Sequence, residues 1–313
     1  MVSAFGDLTA KIDAGERLSD QDIAALGSTR DIISLGMLAT TVRRRLHGNE
    51  VTYVRVADLK LSTTADGATA TDGATADEAT IDVMPTFRSA ADAGEVRIFQ
   101  TPHALDAAVA IVETAREMAG ATPLSAFCLY ELGKLPEGLP VVLSALRKAG
   151  LEVITQAPID RLAAPERELE ALADAGLRLA RLTVNETPER EWTRVCREVA
   201  DLQTRLGTIR AFAPLARSIA VTQPTTGYED VKRIAIARVL VDNVDAIQVD
   251  WALYGPKLAQ VGLTFGADDI DSVSANDDAS LGRRRSPIEE IRRSIQAAGF
   301  EPVERDGRFE RRH

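Results

Sequence analysis

Apolar residues follow a helical spacing at the start of the chain and fall into β-branched runs after it. Ser19 stands where a helix N-cap is expected, with Asp20 and Asp22 in the first turn, and Ile23, Leu26, Ile32, Leu35 and Leu38 continue at helical spacing. Helices are therefore predicted up to about His47. Val51–Val56 reads as a strand and is followed by Leu59-Lys-Leu. Strand and helix patterns then alternate. Val96–Phe99 precedes a helical run from Ala104 to Met118, and Leu124–Tyr130 precedes one from Leu139 to Lys148. Further strands are expected at Leu151–Thr155, Leu177–Val184, Ile209–Leu215, Ala246–Leu253 and Asp269–Asp271, with helical segments between them. Repeated β-then-α units imply parallel strands with right-handed crossovers. About eight strands counted from Val51 fit a closed (β/α)8 TIM barrel of the usual size, roughly 250 residues, better than an open sheet. The predicted organisation is an N-terminal helical extension over 1–50 and a barrel over 51–313. A site in such a barrel belongs at the C-terminal ends of the strands, in the loops after Leu61, Gln100, Glu131, Thr155, Asn185, Ala216, Leu253 and Asp271.

Composition changes this picture at one place. From Thr63 to Thr80 the chain is almost entirely Thr, Ala, Asp, Gly and Glu, so burial cannot offset the entropy of ordering it, and a mobile loop is expected. The net charge of −10 argues against nucleic acid or an anionic membrane held by bulk electrostatics. Runs of about 18 apolar residues and a signal-peptide pattern at the N-terminus are both absent, which leads to the expectation of a cytoplasmic protein. Cys128 and Cys196 are far apart and read as core thiols. With His47, His103 and His313 as the only histidines, no metal site is expected.

Several segments, in order, carry a resemblance. They are Arg43–Arg55, with Arg-Arg-Leu-His-Gly followed by Val-Thr-Tyr-Val; Asn185-Glu-Thr-Pro-Glu; Phe212-Ala-Pro-Leu-Ala; Asp230-Val-Lys-Arg-Ile-Ala-Ile-Ala-Arg; Val241-Asp-Asn-Val; Lys257–Asp271; and Ala298–Asp306. Together they resemble the radical SAM enzymes of menaquinone and deazaflavin biosynthesis: aminofutalosine synthase, dehypoxanthine futalosine cyclase and the FO synthase subunits. The resemblance implies a barrel whose first loop holds a four-iron cluster on Cys-x-x-x-Cys-x-x-Cys, with S-adenosylmethionine chelated at the open iron. The corresponding segment here, after Leu61, has no cysteine. The family's Gly-Gly-Gly-Ala-Glu stretch after the fourth strand is replaced by Thr155-Gln-Ala-Pro-Ile-Asp, and its His-Met-Ala-Gly after the last strand by Asp278-Ala-Ser-Leu-Gly-Arg-Arg-Arg. Neither cluster nor S-adenosylmethionine is therefore expected.

The candidate site residues each admit two readings. Asp268, Asp269 and Asp271 at the last strand could contact a polar ligand or cation, or serve as caps and strand-end acceptors. Asn185 and Glu186 end the fifth strand and could touch substrate, or begin a helix ahead of Pro188. Asp250, Trp251 and Tyr254 close the seventh strand, where an aromatic ring could stack on a flat ligand or pack in the core. Arg283 could hold a phosphate or carboxylate, or belong to a solvated charge run. His103, after Pro102, is a candidate acid–base. The expected function is a cluster-free, radical-SAM-like barrel that binds a menaquinone-pathway intermediate or pairs with an active relative. The alternative is a cluster-independent enzyme on a nucleoside-like or aromatic intermediate, with His103, Glu186, Asp269 or Asp271 transferring protons.

Overall fold

A computed structural model describes residues 2–16, 18–63, 81–85, 92–186, 191–218, 225–276 and 287–312. Three helices come first: α1 (Val2–Asp13), α2 (Asp20–Ser28) and α3 (Ile32–His47). Ser19 caps α2 as its sequence suggests: its Oγ accepts from the Asp22 amide at 3.2 Å, and the Asp22 carboxylate accepts from the Ser19 amide at 2.9 Å.

The chain then enters β1 (Glu50–Thr63), one continuous strand that includes Leu59–Leu61 and pairs antiparallel with β2 (Ile81–Pro85). Units of strand and helix follow: β3 (Glu95–Ile98) and α4 (Leu105–Ala119); β4 (Leu124–Cys128), a short α5 (Leu129–Leu132) and α6 (Leu139–Lys148); β5 (Val153–Pro158) and α7 (Pro165–Asp174). The next strand is split into β6 (Arg178–Leu179) and β7 (Leu182–Val184), and α8 (Trp192–Leu206) follows it. The order continues with β8 (Ala211–Ala216), α9 (Gly227–Leu240), β9 (Ala246–Asp250), α10 (Trp251–Leu263), β10 (Asp269–Ser274), α11 (Pro287–Ala297) and β11 (Glu301–Arg305). Parallel pairing runs β1-β3-β4-β5-β7-β8-β9-β10, and β10 pairs back onto β1, closing an eight-stranded (β/α)8 barrel.

Four expectations need correction. The strand expected over Ala246–Leu253 ends at Asp250, whose carboxylate caps α10 by accepting from the Leu253 amide at 3.0 Å. Apolar character alone does not separate a buried strand from the first turn of the helix that follows it. In the same way the strand from Leu124 stops at Cys128, and Leu129 starts a helix. Leu177–Val184 is interrupted at Ala180–Arg181. Finally, β11 was not anticipated; it pairs parallel with the first residues of β1, Glu50 to Val54.

Helix α9 is buried from Val231 through Val239, because α8, α10 and β8 pack around it and α3 covers it from outside. Its lack of an amphipathic stripe follows from this position. The N-terminal helices thus complete the outer layer on this side of the barrel.

The turn before β3 is tight against the end of β11. A Cβ added at Gly94 would lie 2.6 Å from the Arg305 carbonyl oxygen, while the Gly94 carbonyl accepts from the Gly307 amide at 3.0 Å. Because the obstructing atom is backbone, Gly94→Ala is expected to lower stability by about 1–3 kcal/mol in urea unfolding. A variant as stable as the parent would show that β11 is not locked against this turn.

Candidate binding site in the barrel

The barrel interior is charged, and its charges are stacked in levels. In the lower level Asp269 receives Arg305 from β11 through Nε (2.6 Å) and Nη2 (2.7 Å), with Thr52 Oγ1 at 2.6 Å and Gln248 Nε2 at 2.8 Å. Two residues further along β10, Asp271 receives Arg97 in the bidentate fashion, at 2.8 and 2.9 Å, and also Nη1 of Arg181. Arg97 makes a second fork to Glu95 at 2.7 and 2.8 Å, and Ser125 Oγ donates to that same carboxylate. Burial works against the charge of Arg97, but Asp271 and Glu95 outweigh it and hold the guanidinium well above its ordinary range. Burial likewise opposes ionisation of Asp271, yet Arg181 and Arg97 together hold its carboxyl well below the usual value.

Above this network the walls become polar and open. Arg217 donates to Asp250 at 2.9 Å, and Ser272 Oγ joins Asp250 (3.2 Å) to Asp271 (3.0 Å). A cavity of 560 Å³ lies at the C-terminal ends of the strands, lined among others by Phe99, His103, Tyr130, Gln156, Thr183 and Arg217. Its rim is organised by Asp160, which accepts from the amides of Asn185 and Glu186, each at 2.7 Å. The Asn185 side chain, turned so that its oxygen faces Arg161, accepts from Nε at 3.1 Å and Nη2 at 2.8 Å. On β1, burial pushes the Asp58 carboxyl up, against the opposing pull of Arg97.

The residues singled out from the sequence fall in different places. His103 and Asn185 line the mouth cavity, and Glu186 sits exposed at its edge, accepting from Ser218 Oγ at 3.1 Å. Asp269 and Asp271 point into the barrel but are occupied by guanidiniums. Asp268 is not at the mouth: it precedes β10 at the opposite end, bound to Arg238 Nη2 at 2.5 Å and to the Ile247 amide at 2.8 Å. Adjacent residues of a strand face opposite sides, so Asp268 is directed outward while Asp269 is directed inward. Trp251 and Tyr254 are on α10 and do not line the mouth cavity; Trp251 packs against the core, and Tyr254 donates to the carbonyls of Leu215 (3.0 Å) and Ala216 (2.8 Å). Arg283 lies outside the described residues, as does the loop from Thr64 to Thr80. Arg97, Arg181 and Arg217 had no motif around them to single them out. A buried arginine looks like a surface one until strand alternation is assigned.

Residues 211–313 match the family described as the CofH/MqnC C-terminal region. Aminodeoxyfutalosine synthase of Thermus thermophilus is 26% identical to this chain over 96% of the chain and 94% of its own length. The chain is similar to the futalosine- and FO-synthase enzymes along nearly its whole length. Cyclic dehypoxanthine futalosine synthase of Streptomyces coelicolor is 31% identical over 54% of the chain, and that organism's aminodeoxyfutalosine synthase is 33% identical over 35%. These two alignments span 46% and 34% of the relatives' own lengths, less than half of either protein. Among solved structures, methylornithine synthase superposes with a TM-score of 0.63 over 95% of this chain and 97% of its own, at 14% identity, which shows a shared fold.

Relatives in this futalosine- and FO-synthase family are radical SAM enzymes that use a four-iron cluster and S-adenosylmethionine. The chain has two cysteines in all. Cys128 ends β4 at the mouth, and Cys196 is fully buried in α8 outside the barrel. Burial pushes both thiols up, away from the thiolate that iron requires. Among the described residues no group of three or more His, Cys, Asp or Glu is arranged to hold a metal ion, and no helix is long and apolar enough to cross a membrane.

Proposed function

We propose that this chain is a cluster-free member of its family that acts by binding a small molecule at the barrel mouth. The observation that carries this reading is the cysteine inventory. Three thiolates are needed to hold three irons of a site-differentiated cluster, and this sequence supplies two thiols, separated in sequence and held on different layers of the fold. The residues present do not fit the group. The charged interior supports the same reading: Glu95, Arg97, Asp271 and Arg181 fill the middle of the barrel with a connected ion-pair network, leaving a 560 Å³ cavity above them in the range of small-ligand pockets. Proton transfer by Asp269 or Asp271 is disfavoured, since each carboxylate is already claimed by guanidinium donors. The bound molecule belongs to the chemistry of the family's pathway, an intermediate of menaquinone synthesis.

Anaerobic iron–sulfur reconstitution tests this directly, with an iron count, an absorbance spectrum and an S-adenosylmethionine cleavage assay on one sample. The expected result is no stoichiometric iron, no thiolate-to-iron absorption and no cleavage. Stoichiometric iron with cleavage of S-adenosylmethionine would overturn the reading and restore radical chemistry.

A further inference from the structure

A second cavity, of 440 Å³, lies at the other end of the barrel, where the helices return to the N-terminal ends of the strands. Leu172 of α7 and Leu177 and Leu179 around the start of β6 form its inner wall, and all three are buried. The ring of Phe309, from the turn after β11, faces them across it. An enclosure of this size that combines an apolar wall with a few convergent polar groups has the form of a small-molecule site.

Phe309 is held there against its backbone preference. Its φ is +65°, in the left-handed region that glycine enters freely and that costs a residue carrying a Cβ. The turn enforces this conformation: the Asp306 carboxylate accepts from the Arg308 and Glu310 amides at 2.8 and 2.9 Å, and the Gly307 amide donates to the Gly94 carbonyl at 3.0 Å. Arg305 stacks 3.8 Å from the ring, while Arg210 stands 5.9 Å from it and the side chain stays half-buried. Stacking on Arg305 therefore uses only part of the ring, and the remainder borders the cavity. Backbone strain that persists under a partly exposed aromatic ring points to a use for that ring.

The polar side of the cavity is cationic, in a chain whose net charge is −10. Among the described residues, Arg178, Arg210 and Arg308 line it with Glu310 as the one carboxylate, and the acids that pair Arg210 and Arg308, Asp245 at 2.8 Å and Glu152 at 2.6 Å, stand outside the lining. Glu152 is moreover shared with Arg116 at 2.8 Å. The Arg178 guanidinium has no hydrogen bond or ion pair among the described residues. Guanidiniums suit the carbonyl ends of helices such as α7 and α8, yet none of these three donates to such a carbonyl among the described residues. We infer that this cavity is a second binding site, for a small anion with an apolar body: the body lies against Phe309 and the three leucines, and the anionic group meets Arg178 and Arg210. The site goes beyond the mouth site of the proposed function and does not depend on it.

The test titrates the full-length protein with anilinonaphthalene sulfonate, an anion with a flat apolar body, and follows its fluorescence. Uncharged phenylnaphthylamine and inorganic sulfate serve as comparators, the first supplying the body alone and the second the charge alone. The expected result is saturable binding of the anionic probe, at least tenfold tighter than either comparator. Phe309→Gly removes the ring and suits the left-handed backbone, so the turn is kept while probe affinity should fall at least tenfold. Arg178→Gln, at an exposed position, should weaken the anionic probe several-fold and leave phenylnaphthylamine unchanged, a charge-specific signature that a purely structural role would not produce. It also keeps the test decisive if the Phe309 variant does not fold. Arg194→Gln, at the far end of α8, should bind as the parent does. The inference is overturned if the anionic probe does not saturate, if phenylnaphthylamine binds as tightly, if sulfate alone binds, or if folded Phe309→Gly or Arg178→Gln protein binds like the parent. Iron–sulfur reconstitution reports on the mouth alone, so either result there leaves this test unchanged.

Discussion

Replacing Asp271 by asparagine is expected to destabilise the protein by about 3–5 kcal/mol, the cost of breaking a buried ion pair from one side. The substitution preserves shape and removes charge. Arg97 would retain Glu95, but Arg181, which among the described residues hydrogen-bonds Asp271 alone, would be left as an uncompensated buried cation. The pH dependence follows from the direction of the Asp271 shift. Burial raises its pKa, Arg181 and Arg97 outweigh burial, and the folded value lies well below the ordinary one. A carboxyl depressed on folding contributes stability that is fully present above its unfolded pKa of about 3.9 and is lost as pH falls through the folded value. The difference between parent and Asp271→Asn should thus be constant from about pH 5 to 7 and should narrow below about pH 4. Urea unfolding at a series of pH values measures both. A loss under about 1 kcal/mol, the size typical of an exposed pair, would mean that water reaches the network and screens it.

The second large effect concerns the floor of the barrel. Arg305→Met should also cost about 3–5 kcal/mol, because it strips Asp269 of its two guanidinium bonds and leaves a carboxylate fully buried beside Thr52 and Gln248. Burial opposes the Arg305 charge, but Asp269 outweighs it and raises the guanidinium, so the pair is a mutual dependence. The double variant Asp269→Asn/Arg305→Met should lose less than the sum of the single losses, by an amount near the upper end of the roughly 0.5–3 kcal/mol seen for contacting residues. Strict additivity in that double-mutant cycle would show that the two residues do not act as a pair. β11, which pairs with the first residues of β1, delivers Arg305, stacked 3.8 Å from the Phe309 ring, into the interior.

Both effects depend on arginines that looked ordinary in the sequence. Val-Arg-Ile-Phe at Val96 and Leu-Ala-Arg-Leu-Thr-Val at Leu179 were legible as strands because of their β-branched and apolar content, yet the arginine in each could be assigned to solvent as easily as to the barrel axis. Asp268, Asp269 and Asp271 were visible as a cluster but do not act as one. Asp268 serves the α9 side through Arg238, Asp269 the floor through Arg305, and Asp271 the middle through Arg97 and Arg181. His103 and Asn185 line the mouth cavity because they follow the ends of strands, and that position is the one feature of a barrel site that order along the chain predicts. Trp251 and Tyr254 were misplaced for the opposite reason, since a helix that begins one residue after a strand continues its apolar run.

The sequence by itself determined the repeated strand–helix order, the capped N-terminal helices, the family resemblance and the shortage of thiols, because these depend on residue identity and on short-range spacing. Only the tertiary structure decided which charges face inward and which partner each one meets. Alternation along a strand is a local rule, but its phase is set by bulges, by the break at Ala180–Arg181 and by pairing between strands as far apart in sequence as β1 and β10. The incomplete pairing of Arg181 arises at that level: it is the outcome of one carboxylate from β10 being shared between two guanidiniums that the barrel brings together from β3 and from the break before β7.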